Sequence, residues 1–308
     1  MKVGKKEKIL ITGGSGNLAK VLKKRLEKSG YNVVFLTTNY NKSEKSYYYW
    51  NITKKIIDPK ALYECDHIVH LAGFNIMNRW TKSNKKKMYN SRVSGSKLIF
   101  EKCKENKINI KTFISASAIG YYGHSKKEIQ HESNPPSNEW ISKLAVDWEE
   151  AAKNFERINS RTICMRISLL IDKNSGYLKS LLLSMRLGIG AIFGNKKNII
   201  EWIHIEDAAR FIAFSIKNKK IKGAYNLSTE NKISQKDFIY NIKKKYIPYS
   251  IIIKIPNIIL KIIFGQRKSI IEGGLVISTQ KLRKSGFEYK YPNIELALHK
   301  ELFNKDLN

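Results

Sequence analysis

The chain of 308 residues has only three cysteines, six prolines, and 26 acidic residues against 57 lysines and arginines. Cys65, Cys103 and Cys164 are odd in number and far apart, and none sits at metal-ligand spacing. That excludes a disulfide framework and a zinc-type site; it suits a reducing compartment, and no metal is expected. Met1 to Lys8 is basic but has no apolar stretch ahead of a small-residue cleavage site, so no secretory signal is expected. Long hydrophobic runs are missing too. The most apolar segment, Ile247 to Phe264, is broken by Lys254, Pro256 and Lys261, short of the ~20 residues a spanning helix needs. A core or substrate-lobe helix with a proline turn is expected there, in a cytoplasmic protein with no membrane partner.

The shortage of acid leaves a formal charge of +31. The lysines are scattered over the whole length rather than gathered in one stripe or motif. Lysine, isoleucine, asparagine and tyrosine are abundant together, and their codons are rich in A and T. Codon drift accounts for the charge, and no specific nucleic-acid partner is expected.

What is present begins at Ile9-Leu-Ile-Thr-Gly-Gly-Ser-Gly-Asn-Leu-Ala19. An apolar strand over Lys8 to Thr12 runs into Gly13, Gly14, Ser15 and Gly16. Helical spacing follows from Asn17, with Leu18, Val21, Leu22 and Leu26 on one face. Glycines at such a turn permit unusual backbone angles and let a pyrophosphate approach the main chain. The helix start then offers unpaired N–H groups and a positive dipole end to the phosphates. This is a dinucleotide-binding pattern, with Gly13, Gly14, Ser15, Gly16, Asn17 and Leu18 as its binding residues.

Strands and helices alternate for roughly the first 170 residues. Strands are expected at Asn32–Thr37, Asp66–Ala72, Lys111–Ser117 and Arg161–Ser168, with helices at 80–106 and 139–155. Such alternation implies a doubly wound parallel sheet of Rossmann type, with ligands at the carboxyl ends of its strands. Ala72, Gly73 and Ser117 lie at such ends. Beyond residue 170 the rhythm changes, with a helix over 177–187, a Gly-rich loop to Gly194 and a strand at 223–228. The expected organisation is a nucleotide-binding domain over 1–230, in which 171–200 contributes to the substrate side. A smaller interleaved C-terminal lobe over 231–308 completes it.

Cofactor choice is read after the second strand. A carboxylate there would hold the ribose hydroxyls of NAD and repel a 2′-phosphate. The run is Leu36-Thr37-Thr38-Asn39, with no acid, so NADP is expected and NAD is permitted; Thr38 stands at the discriminating position.

Several motifs together resemble an extended short-chain dehydrogenase/reductase of the NAD-dependent epimerase/dehydratase type. They are the opening turn, Leu71-Ala-Gly73, Ser115-Ala-Ser117, Met165-Arg166 and Trp202-Ile-His-Ile-Glu-Asp207. Arg79-Trp-Thr81, Ser91-Arg92, Ser117-Ala-Ile-Gly-Tyr-Tyr-Gly123, Asn134-Pro-Pro136 and Asp147-Trp-Glu-Glu150 narrow the likeness. They resemble a branch of cell-division-inhibitor-like epimerases with a C-terminal domain of unknown function.

The resemblance implies a serine at Ser117, hydrogen-bonded to the substrate oxygen, and a Tyr-x-x-x-Lys pair on the next helix as proton donor and ribose holder. Trp140 and Leu144 stand at those two positions, and Lys143 is rotated about 100° away on a helix. Tyr121 and Tyr122 are the nearest phenols to Ser117, so the catalytic candidates are Ser117, Tyr121 and Tyr122. Arg79 and Arg92 are candidates for gripping an anionic small-molecule substrate. His204 is expected to be a core histidine, with Glu206 and Asp207 capping a helix. Two functions remain open: an NADP-dependent epimerase or oxidoreductase with an atypical site, or a nucleotide-bound sensor or partner-binding protein with little turnover.

Overall fold

The structure is a computed structural model; it describes residues 6–42, 46–124, 128–195, 197–272 and 274–303. The chain forms two compact units. The first takes in residues 1–121, 140–166 and 209–225, and the second 122–139, 167–208 and 226–308, so the two interleave along the sequence.

The first unit is organised by a sheet of eight strands: β1 (Lys8–Thr12), β2 (Asn32–Thr37), β3 (Tyr47–Asn51), β4 (Ile56–Ile57), β5 (His67–His70), β6 (Thr112–Ala118), β7 (Arg161–Ile167) and β8 (Gly223–Leu227). Their spatial order is β8-β7-β6-β5-β1-β2-β3-β4. β1 pairs in parallel with both β2 and β5, aligning Thr12 with Leu36 on one side and with His70 on the other. The order therefore reverses direction at β1, the topological switch point where such sheets bind ligands. β1, β2 and β5 are almost wholly buried; the apolar runs of β1 and β2 require this, and β5 takes His67 and His70 into the interior with Ile68 and Val69.

Helix α1 (Asn17–Lys28) buries Ala19, Leu22 and Leu26. It has no acid in its first turn and carries Arg25 and Lys28 in its last, so its positive end is left for an external anion. The helical stretch expected over 80–106 is divided. It consists of α2 (Lys82–Tyr89), a π-helical turn (Asn90–Ser94) and α3 (Gly95–Glu105). Helix α4 (Trp140–Lys153) follows the 3₁₀ turn Ile119–Tyr122 in order. Within the core, Phe113 and Phe155 stack with ring centroids 3.7 Å apart. Strand β3 has no counterpart in the sequence reading; its run of Tyr47, Tyr48, Tyr49 and Trp50 is β-prone, but its alternation is hidden because both faces are aromatic.

The second unit has its own core, in which Trp202, Leu178, Phe238, Ile242 and Leu298 pack together. The expected Gly-rich loop before Gly194 is instead a strand, Ile189–Phe193, paired in parallel with Ile251–Ile255. Of the core or substrate-lobe helix with a proline turn expected over 247–264, only the part after the proline is helical, and it is not a core helix. Pro256 ends that strand and caps a helix over Asn257–Phe264 that buries only Leu260. Among the described residues no helix is long and apolar enough to cross a membrane.

Candidate functional site

The glycine turn is dictated by steric limits on both sides. Gly13 has φ +74°, and a Cβ there would lie 2.9 Å from the backbone of Leu71 and Ala72. A Cβ on Gly14 would lie 2.6 Å from the Phe35 ring. The Gly16 N–H donates to the Gly13 carbonyl at 2.9 Å, closing the turn, and a Cβ on Gly16 would meet only that oxygen, at 3.2 Å. Ser15 and Gly16 are exposed, whereas Asn17 and Leu18 at the helix start are half-buried. The result is a bare backbone ledge at the carboxyl ends of β1 and β5, facing the first turn of α1.

A buried polar network, not foreseen from the sequence, fixes this ledge. Thr12 Oγ1 accepts the N–H groups of Leu71 and Ala72 at 3.1 and 3.0 Å, and so donates its own proton to His70 Nδ1 at 2.8 Å. His70 Nε2 in turn donates to the Arg92 carbonyl at 2.9 Å. Burial pushes the His70 pKa down to about 4, which keeps the ring neutral.

The segment after β5 is stapled by the π-helical turn. Phe74 N–H donates to Ser91 Oγ at 2.9 Å, and Arg92 Nη1 donates to the Phe74 carbonyl at 3.0 Å and the Met88 carbonyl at 3.3 Å. A Cβ on Gly73 would sit 3.0 Å from the Arg92 guanidinium, so any other residue there would press on that side chain. Burial lowers the Arg92 pKa to about 10. Arg92 is thus engaged with main-chain carbonyls, whereas Arg79 is exposed. Thr38, past the end of β2, is exposed as well, and no carboxylate follows it through Asn41.

At the end of β6, Ser117 Oγ donates to Glu149 Oε1 at 2.8 Å. Arg166 grips the same carboxylate with Nε on Oε1 at 2.8 Å and Nη2 on Oε2 at 2.9 Å. The Arg166 guanidinium carbon lies 3.5 Å from the centre of the Tyr121 ring. Ser117, Glu149, Arg166 and Tyr121 are therefore one assembly. Tyr122 is not part of it: fully buried, it donates to Asn226 Oδ1 at 2.7 Å.

On α4, Leu144 is buried and Lys143 exposed. Trp140 packs on Trp80 with ring centroids 4.8 Å apart, and the Lys85 ammonium lies 4.8 Å from the Trp140 ring centre. Tryptophan and leucine so occupy the face that the tyrosine–lysine pair was expected to use. In the second unit, His204 is a core residue that donates from Nε2 to Glu301 at 3.0 Å. Asp207 does more than start a helix: it accepts the N–H groups of Lys290 and Tyr291, both at 2.8 Å.

A Rossmann-type sheet with its glycine turn at the switch point defines a dinucleotide-binding class of fold. The chain belongs to the NAD dependent epimerase/dehydratase family, whose pattern matches residues 9–228; a domain of unknown function, DUF1731, matches residues 255–301. It is 29% identical over 295 residues to the epimerase family protein YfhF of Bacillus subtilis, covering 94% of this chain and 96% of that one. Among solved structures, it resembles the human epimerase family protein SDR39U1 with NADPH, with a TM-score of 0.85 at 22% identity, over 97% of this chain and 100% of that one. It also resembles a nucleoside-diphosphate sugar epimerase from Corynebacterium glutamicum, with a TM-score of 0.78 at 23% identity, over 99% of this chain and 60% of that one.

Proposed function

We propose that the protein is an NADP-dependent, epimerase-like oxidoreductase with an atypical proton donor, acting on a small polar substrate. The observation that carries this reading is the bare ledge made by Gly13 against Leu71 and Ala72, beside a first helical turn without acid. Backbone N–H groups of Gly14 to Leu18 would hold the pyrophosphate, Ala72 and Gly73 would flank the nicotinamide half, and Thr38 would face the adenosine ribose. From Thr38 through Asn41, directly after β2, there is no carboxylate to repel a 2′-phosphate. NADPH in the solved human relative is in keeping with this choice.

A nicotinamide cofactor supplies hydride chemistry; the chain supplies positioning and the proton. Ser117 donates its own proton to Glu149, so toward a substrate its oxygen would act as an acceptor, taking a hydrogen bond from a hydroxyl. Tyr121, half-exposed with its ring plane fixed by Arg166, is the phenol that delivers or removes the proton. Tyr122, committed to Asn226, holds the turn.

The Trp80–Trp140 stack and the buried Leu144 favour a second reading, a nucleotide-bound protein with little turnover. Single-turnover hydride transfer from NADPH across a panel of carbonyl compounds and nucleotide sugars separates the two. Under the first reading, Tyr121→Phe slows transfer by about 10²–10⁴ with NADPH affinity intact, while Tyr122→Phe acts through stability. Transfer unaffected by both Tyr121→Phe and Ser117→Ala contradicts the site assignment, and no transfer across the panel favours the second reading.

A further inference from the structure

The helix Asn257–Phe264 turns its isoleucines outward. Ile258 and Ile262 are 70% and 78% exposed, Ile259 and Ile263 are 41% and 54% exposed, and only Leu260 is buried. Residues spaced four apart lie above one another, so these two pairs make a continuous apolar stripe along one side of the helix. Phe264 at its end meets Phe193 edge to face, with centroids 6.0 Å apart, which ties the helix to the strand pair beside it. That pair continues the apolar surface: Ile251 and Ile189 lie opposite each other in the ladder, and both are exposed. Leu187, just before the strand, is 77% exposed. A soluble surface seldom gathers so many large aliphatic side chains without a partner.

Charge identifies the partner. The sequence around these elements, residues 176–200 and 247–271, contains eight lysines and arginines and not one aspartate or glutamate. Lys254 and Lys261 are exposed on the strand and the helix themselves, and Arg186 is exposed beside Leu187. A second copy of the chain would bring the same cations face to face, and a chain with a formal charge of +31 resists that pairing. An apolar stripe edged by cations and free of acid matches the interface of an anionic bilayer, where aliphatic side chains enter the acyl boundary and lysines stay at the headgroups. We propose that the surface formed by the helix Asn257–Phe264 and the strands Ile189–Phe193 and Ile251–Ile255 docks the protein on anionic lipid membranes. The sequence-based expectation of no membrane partner rested on the lack of a spanning segment; an interfacial helix needs none. This docking stands apart from the nucleotide reading.

The test is co-sedimentation of the full-length protein with phosphatidylcholine vesicles, with and without phosphatidylglycerol. The wild type binds the phosphatidylglycerol vesicles and not the neutral ones. Ile258→Ser with Ile262→Ser leaves the charge unchanged and lowers partitioning about hundred-fold, because two side chains no longer leave water. Lys254→Glu with Lys261→Glu lowers it at least about ten-fold. All four positions are exposed, so melting temperatures stay at the wild-type value. Absence of binding to phosphatidylglycerol vesicles overturns the proposal. So does binding that the serine pair leaves intact, since lysine charge alone would then suffice. A dimer in velocity sedimentation that the serine pair dissolves also overturns it, in favour of a second copy as the occupant.

Discussion

Replacing Arg166 by methionine probes the assembly at the end of β6. The Arg166–Glu149 pair has side chains only 4% and 5% exposed, so solvent screens it little. Two charge-assisted hydrogen bonds, at 2.8 and 2.9 Å, disappear together. Glu149 is left in the interior with Ser117 as donor. Breaking one side of a buried pair costs about 3–5 kcal/mol, which for a domain of this size lowers Tm by about 10 °C. The partner experiment is the double replacement Arg166→Met with Glu149→Met. With no charge left to bury, it should return to within about 2 kcal/mol of wild type. Urea unfolding of the wild type, Arg166→Met, Glu149→Met and the double variant measures the coupling directly. A single-variant cost below about 1 kcal/mol, or a double variant less stable than Arg166→Met, would refute the reasoning that an uncompensated buried charge is at stake.

The remaining expectations can be checked with the same protein. Gly13→Ala, forced to φ +74° against the Leu71–Ala72 backbone, should lower stability and abolish nucleotide binding, both read by thermal denaturation with and without NADPH. His70 has a folded pKa of about 4, below its unfolded value near 6.5, so its contribution is complete above that value and is lost as pH falls toward 4. The loss amounts to about 3 kcal/mol, and His70→Gln should remove that part of the pH dependence of urea unfolding. Burial pushes the Cys65 and Cys103 thiols up to about 12 and raises Cys164 as well. An aromatic disulfide reagent at neutral pH should therefore find no reactive thiol in the native protein and all three after unfolding.

The features that the sequence made legible are local ones. The strand, glycine turn and helix over residues 8–28 are contiguous, and their chemistry is set by neighbours a few positions away. Trp140, Lys143 and Leu144 could be placed because the family resemblance sets the two positions on the helix and helical geometry fixes their relative directions. Glu149 and Arg166 were out of reach as a pair: they are 17 residues apart on different elements and meet only when α4 lies on the sheet. Thr12 and His70, 58 residues apart, meet for the same kind of reason, through the pairing of β1 with β5. Tyr121 and Tyr122 are adjacent, and a 3₁₀ turn sends them to different partners that no spacing rule assigns. The helix Asn257–Phe264 misled in another way: hydropathy says that isoleucine leaves water, but not whether it enters the core or another surface.

Calorimetric titration of NADPH into the wild type and into Gly16→Glu tests the central claim, a nicotinamide dinucleotide seated on the β1–α1 turn. A Cβ at the exposed Gly16 would meet only the Gly13 carbonyl oxygen, so the variant should fold, while its carboxylate would compete with the pyrophosphate at the glycine turn. The account predicts that NADPH binds the wild type, more tightly than NADH, and that heat of binding vanishes in Gly16→Glu without loss of melting temperature. No binding of either nucleotide to the wild type, or binding that Gly16→Glu leaves unchanged, would contradict it.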